Sequence, residues 1–254
     1  VFADINRAAR FFGTRNANRD QYNVIFFDQR EKETNSELNS YEDRRQTVMI
    51  ANYFRQDFIW PGYTAQASVH YNRDRPDFKF DRNSFLVRPD ASGVFEPHQV
   101  EAVYFGWTGD GHINRYNINH AFYWVVGRDD LNPLAGQPVS INAHMAAIEL
   151  SYDRDWMRFR TSFFYASGDD DINDDRGNGF DAILENPNFV GGEFSYWNRQ
   201  AIRLFGVNLV DRFSLVPHLR SSKIQGQTNF VNPGLLLANF GFDVELTPRA
   251  RLIN

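Results

Sequence analysis

The chain has 254 residues and a net charge of −5, with 27 Lys and Arg set against 32 Asp and Glu. That balance leaves no basic footprint and excludes nucleic acid as an expected partner. Aromatic residues make up 16% of the chain, yet mean hydropathy is −0.53, so the apolar residues must be interleaved with polar ones rather than gathered into long apolar segments. No uninterrupted apolar run of about 18 residues occurs, so no transmembrane helix is expected. The absence of cysteine suits export into an oxidising compartment.

In chain order, a polar loop is expected over about 31–44, and Pro61-Gly62 marks a tight turn. Tyr63–Asn72 then shows strict period two. Tyr63, Ala65, Ala67, Val69 and Tyr71 form one row, and Thr64, Gln66, Ser68, His70 and Asn72 the other. A second polar loop covers 73–98. A strand over Gln99–Trp107 is expected to end in a turn at Gly109-Asp110-Gly111. Ile118, Phe122 and Trp124 alternate with Asn117, Asn119 and Tyr123, although His120 falls on the apolar row. A third loop is expected over 127–141, then a strand over Ile141–Tyr152, where Ile148, Leu150 and Tyr152 oppose Ala147, Glu149, Ser151 and Asp153. After a turn at Asp153-Arg154-Asp155, Phe159, Thr161, Phe163 and Tyr165 alternate with Arg158, Arg160, Ser162 and Phe164. A fourth loop covers 168–198. Ala201–Leu209 and Leu235–Leu246 read as strands, followed by a turn at Thr247-Pro248. Placed on one meander, these last two strands would run the same way. Either a further strand lies within Val210–Asn232 or one of the two assignments fails. The total is nine to eleven strands.

Charged residues recur on one face of these strands. That is costly against a dry core and cheap against water. Short turns also alternate with long polar loops, the arrangement of outer-membrane proteins. The expectation is an all-β fold: an antiparallel transmembrane β-barrel built as an up-and-down meander. Residues 1–254 form a single barrel domain, incomplete at both ends. No basic n-region with an apolar h-region opens the chain, and both termini read as cuts through a longer protein. Of Trp60, Trp107, Trp124, Trp156 and Trp197, four are expected near strand ends, where an indole suits a membrane interface.

Several loop motifs carry a family likeness. Arg55-Gln56-Asp57-Phe58 with Pro61-Gly62-Tyr63-Thr64-Ala65-Gln66, Gly106-Trp107-Thr108-Gly109-Asp110-Gly111-His112 and Tyr165-Ala166-Ser167-Gly168-Asp169 resemble bacterial outer-membrane proteins of the alginate-export type. So do Asn186-Pro187-Asn188-Phe189, Trp197-Asn198-Arg199-Gln200 and Asn229-Phe230-Val231-Asn232-Pro233-Gly234. The resemblance runs from about residue 20 onward. It implies a porin-like barrel of about 16–18 strands, of which this chain covers about half. It also implies a place in the bacterial outer membrane, in contact with lipid and lipopolysaccharide. The implied role is a channel for passive or export transport of polar or anionic solutes such as acidic polysaccharide.

Gln66, Glu149, Arg158, Arg160, Arg199, Arg203 and Asp243 fall on the face expected to line the lumen. The arginines there either guide an anionic solute or, as the favoured reading, pair with Glu101, Glu149, Asp153 and Asp243 on neighbouring strands. Asp169, Asp171, Asn173 and Asp175 put hard oxygens at alternate positions, as Ca2+ prefers. Asp174 stands where an EF-hand needs glycine, and the favoured reading of the loop is a solvated acidic tip. The six histidines form no close pair, and no nucleophile or phosphate-binding motif occurs, so no catalytic residue and no other cofactor are expected. Two competing functions remain. One is a scaffold barrel that sheathes or anchors a periplasmic or outer-membrane protein partner. The other is a soluble, secreted, carbohydrate-binding β-sandwich.

Overall fold

The computed structural model describes residues 5–35, 38, 40–88, 93–94, 96–183, 227–247 and 249–253. Among these, every regular element is a strand. They are β1 (Ile5–Arg15), β2 (Asp20–Lys32), β3 (Tyr41–Arg55), β4 (Tyr63–Asp74), β5 (Lys79–Phe80), β6 (Leu86–Arg88), β7 (Val100–Ile113), β8 (Tyr116–Asn132), β9 (Gln137–Arg154), β10 (Met157–Ala166), β11 (Arg176–Gly177), β12 (Leu235–Thr247) and β13 (Ala250–Ile253). An antiparallel meander runs β1-β2-β3-β4-β7-β8-β9-β10-β12-β13, while β11 adds to β9 in parallel and β5–β6 form a separate hairpin. The fold is all-β, as expected. Among the described residues the sheet is not closed: β1 pairs only with β2, and β13 only with β12.

The connections sort by length except for the tight turn 133–136, which lies at the long-loop end. One end of the sheet carries the compact turns 16–19, 56–62, 114–115, 155–156 and 248–249, and the other carries 33–40, 75–99, 133–136 and 167–234. Three expectations change here. Gly109-Asp110-Gly111 lies inside β7, and the turn sits at Asn114-Arg115, where Asn114 takes φ 53°. The two glycines stay in the strand because the Tyr63 side chain crosses them; a Cβ on Gly109 would meet the Tyr63 hydroxyl at 2.7 Å. Residues 127–141 form the meeting ends of β8 and β9, joined by four residues with Gly136 at φ 66°. Lastly, β10 pairs directly with β12 and antiparallel to it, so the two are neighbours in the meander despite the long stretch of chain between them. Ala201–Leu209 and most of Val210–Asn232 lie outside the described residues.

Register assigns each side chain to a face, because paired residues share a side. One face carries the rows Phe11–Val24–Ala51–Val69–Phe105–Trp124 and Tyr22–Tyr53–Ala67–Trp107–Phe122–Ala146–Tyr165–Leu236. It is mostly apolar and exposed, with Phe11 66% and Phe240 70% exposed, although His144 stands opposite Trp124, whose Nε1 donates to Asn142 at 2.9 Å, and Tyr63 is buried. Tyr63, Val69, Tyr71, Phe240 and Phe242 share this outer face. Trp107 and Trp124 lie mid-strand on it, because β7 and β8 run longer than their sequence signals, whereas Trp60 and Trp156 sit at compact turns. Trp197 lies outside the described residues. His120, the exception on the apolar row, is satisfied locally. Its Nε2 lies 2.6 Å from the Tyr63 hydroxyl, its ring packs on Trp107, and Trp60 stacks on Tyr63 with centroids 4.4 Å apart.

The opposite, inner face is covered at its long-loop end by residues 167–183 and 227–234. Phe180 and Phe230 join the cluster of Val100, Ala102, Tyr104, Val125, Ile141 and Phe164.

Candidate functional site: the inner face

Successive rows of the inner face change character along the strands. At the long-loop end a polar row is buried. Arg44 donates to Asp74 at 2.6 Å, Gln46 Nε2 to Asn72 Oδ1 at 2.9 Å, and Gln227 Nε2 to the Asp74 carbonyl at 3.0 Å. His98 Nδ1 lies 2.5 Å from Asp129 Oδ1. His98, Asp129 and Asp130 bring possible ligand atoms within 4.8 Å of one another. Their oxygens are already engaged, however. Asp129 accepts from His98, the Leu131 amide and Asn132, and Asp130 accepts from the Gln99 amide at 2.6 Å. The group therefore pins the segment before β7 to the end of β8.

On β7–β10 the middle rows are apolar, while Asn52, Ser68 and His70 bring polar groups to the same rows on β3 and β4. Ile50, Tyr104, Val125 and Ala143 face inward, as do Tyr123, Met145, Ala121, Ala147 and Phe164. Chain 167–183 docks on this zone through backbone as well as side chains. Tyr104 donates to the Asp181 carbonyl at 3.0 Å, Asp181 Oδ2 accepts the Asn229 amide at 3.0 Å, and Asn232 Nδ2 donates to the Phe180 carbonyl at 2.9 Å. Gly168 is required where the two arms of the connection meet, since a Cβ there would lie 2.2 Å from the Pro233 carbonyl oxygen.

At the compact-turn end the inner face is charged. Arg158 binds Asp153, while Asp243 accepts from Arg160 at 2.9 Å and from Arg251 at 2.7 Å. Gln66, Glu149, Arg158, Arg160 and Asp243 thus lie on one face. Glu149, on the row next to Arg160, joins the charged zone, while Gln66 stands at its border with the apolar middle. Arg199 and Arg203 lie outside the described residues. The arginines are matched by carboxylates, so this zone is a mixed-charge network and not a purely cationic lining.

The acidic loop is less convergent than its spacing suggests. Asp169 is buried, and Asp171, Asn173 and Asp175 are exposed. Asp171 Oδ1 accepts the Asn173 amide at 3.0 Å, a local turn contact. Among the described residues, His98, Asp129 and Asp130 form the His and carboxylate group of three that comes together, and the Asp169 loop forms none. Burial pushes the Asp169 carboxyl up to about 6, against the lowering effect of the Asn178 amide.

Sequence reasoning found the charged face through its period of two. It missed the apolar middle zone, whose signal is the inward residues Val125, Ala143, Met145 and Phe164 on β8–β10. It also missed His98–Asp129, a pair 31 residues apart with no local spacing to reveal it. Compared with protein-family models, curated proteins and solved structures, the chain shows no match.

Proposed function

We propose that this chain forms part of a transport-type β-barrel in the bacterial outer membrane, passing polar or anionic solutes along its inner face. One observation carries the reading: the outer face leaves bulky apolar side chains bare, while polar side chains are buried at the long-loop end of the inner face. Bulky apolar side chains such as Phe11, Phe105, Trp107, Trp124 and Phe240 stand bare on the outer face, while Asn72, Asp74, Asn132 and Gln227 are buried on the inner side. In water, so large a bare apolar surface is an aggregation site; in lipid it is the anchoring surface. On β8 the outer row runs from Tyr116 to Val126 with His120 as its one polar member. At about 3.3 Å per residue and a tilt of about 40°, that row spans ~25 Å, the height of a bilayer's apolar band. The compact turns at one end and long connections at the other fit the same orientation.

Residues 167–183 and 227–234, folded onto the inner face, narrow the passage, and the Arg158, Arg160, Asp153 and Asp243 network sets its charge at the compact-turn end. Purified protein added to a planar lipid bilayer is expected to give discrete, voltage-independent conductance steps. Insertion without any conductance would reject transport and favour a scaffold role, which the free edges at β1 and β13 also suit.

A further inference from the structure

A passage for polar solutes has no use for an apolar pocket, yet the inner face contains one. A cavity of about 590 Å3 lies between the sheet and the docked connection. Its body is walled by Phe27, Ile50, Phe54, Tyr104, Phe164 and Phe180. The space between these rings exists because the inward position at Ala121 carries a small side chain. Polar groups gather mainly at one end of the cavity, with His70 and the Tyr123 hydroxyl as polar members farther along the wall. Gln66, Thr108, Asp110 and Asn119 lie on the two cavity-lining rows nearest the compact turns, next to the charged zone.

We infer that this cavity binds one amphiphile. Its apolar body lies under Phe180 and Ile183, and its polar end lies toward Gln66, Thr108 and Asp110. The size falls within the ~300–1,000 Å3 typical of small-molecule sites. The lining follows the same pattern of apolar walls with a few polar groups at one end, which fixes ligand orientation. Water in such a pocket would find few partners, so displacing it by an apolar group is favourable. The ligand class is a weakly polar molecule with a flat aromatic or short aliphatic body. A strongly charged sugar acid would leave its charges unpaired against the aromatic walls. This binding stands apart from conduction and can hold or fail independently of it.

The test uses the protein reconstituted in phosphatidylcholine nanodiscs, with 1-aminoanthracene as a fluorescent probe. The wild type is expected to bind saturably, with one probe per chain. Ala121→Trp fills the cavity and Ile50→Asn makes its wall polar; each should weaken binding by about tenfold or more. Ala146→Trp, which adds the same ring to the outer face, should leave binding unchanged. Resistance to unfolding in detergent confirms that each variant is folded, and Ile50→Asn decides if Ala121→Trp is not. Overturning results are non-saturable uptake by the wild type, or saturable binding that neither inner-face variant weakens.

Discussion

Asp169 stands where the chain leaves β10 and turns onto the inner face. Its Oδ1 receives the Asn178 amide at 3.5 Å, while its Oδ2 is buried with no hydrogen-bond partner among the described residues. Burial raises its pKa from 3.8 to about 6. Between those values the folded protein holds more protons than the unfolded chain, so this group's contribution falls as pH rises through that window and stays low above it. Asp169→Asn removes the buried charge and keeps the acceptor. It is expected to stabilise the docked connection at pH 7–8 by on the order of 1–2 kcal/mol, with the gap closing below about pH 4. Hydrogen exchange of the amides in 167–183 across that range measures it; a variant no more protected than wild type at pH 8 would refute it. The sequence marks this residue as acidic and part of an Asp-rich run. Its surroundings include the distant 227–234 arm, whose Asn232 carbonyl accepts the Asp169 amide at 2.9 Å, a long-range contact that local spacing does not encode.

Strands were legible where one face is apolar and the other polar. β4, β10 and β12 show this, and their residues fall on the faces their periodicity assigns. Legibility failed where a different rule held. Gly109 and Gly111 read as a turn, yet the Tyr63 ring lying over them keeps them in β7. Residues 127–141 read as a loop because Asp129, Asp130, Asn132 and Pro133 are turn formers. Asp129 is instead drawn into the sheet by His98. The inner middle of β8–β10 was expected to be wet, but residues 167–183 and 227–234 cover it and make it a packed interior. At this scale the outer face is testable through β7. Phe105 is 42% exposed, flanked by Val69 and Trp124. A position so exposed to water would tolerate arginine within about 0.5 kcal/mol. Facing the bilayer midplane, Phe105→Arg should cost about 2–4 kcal/mol. Denaturant unfolding from lipid vesicles distinguishes the two.

At the scale of the molecule, the all-β meander was readable from repeated alternation and from the sorting of short and long connections. Closure was not, because it depends on what pairs with β1 and β13, and the described residues leave both edges open. The two-sheet sandwich considered from the sequence finds no counterpart among the described residues, which place one large sheet beside the short β5–β6 hairpin. The account of the molecule rests on the outer face meeting lipid. Trp124, mid-strand and 42% exposed, reports on this directly. In a variant retaining only that tryptophan, reconstituted in bilayers of brominated phosphatidylcholine, its fluorescence is expected to be strongly quenched by the lipid and little affected by aqueous iodide. Quenching by iodide with no effect of the brominated chains would place the apolar face in water and contradict the account.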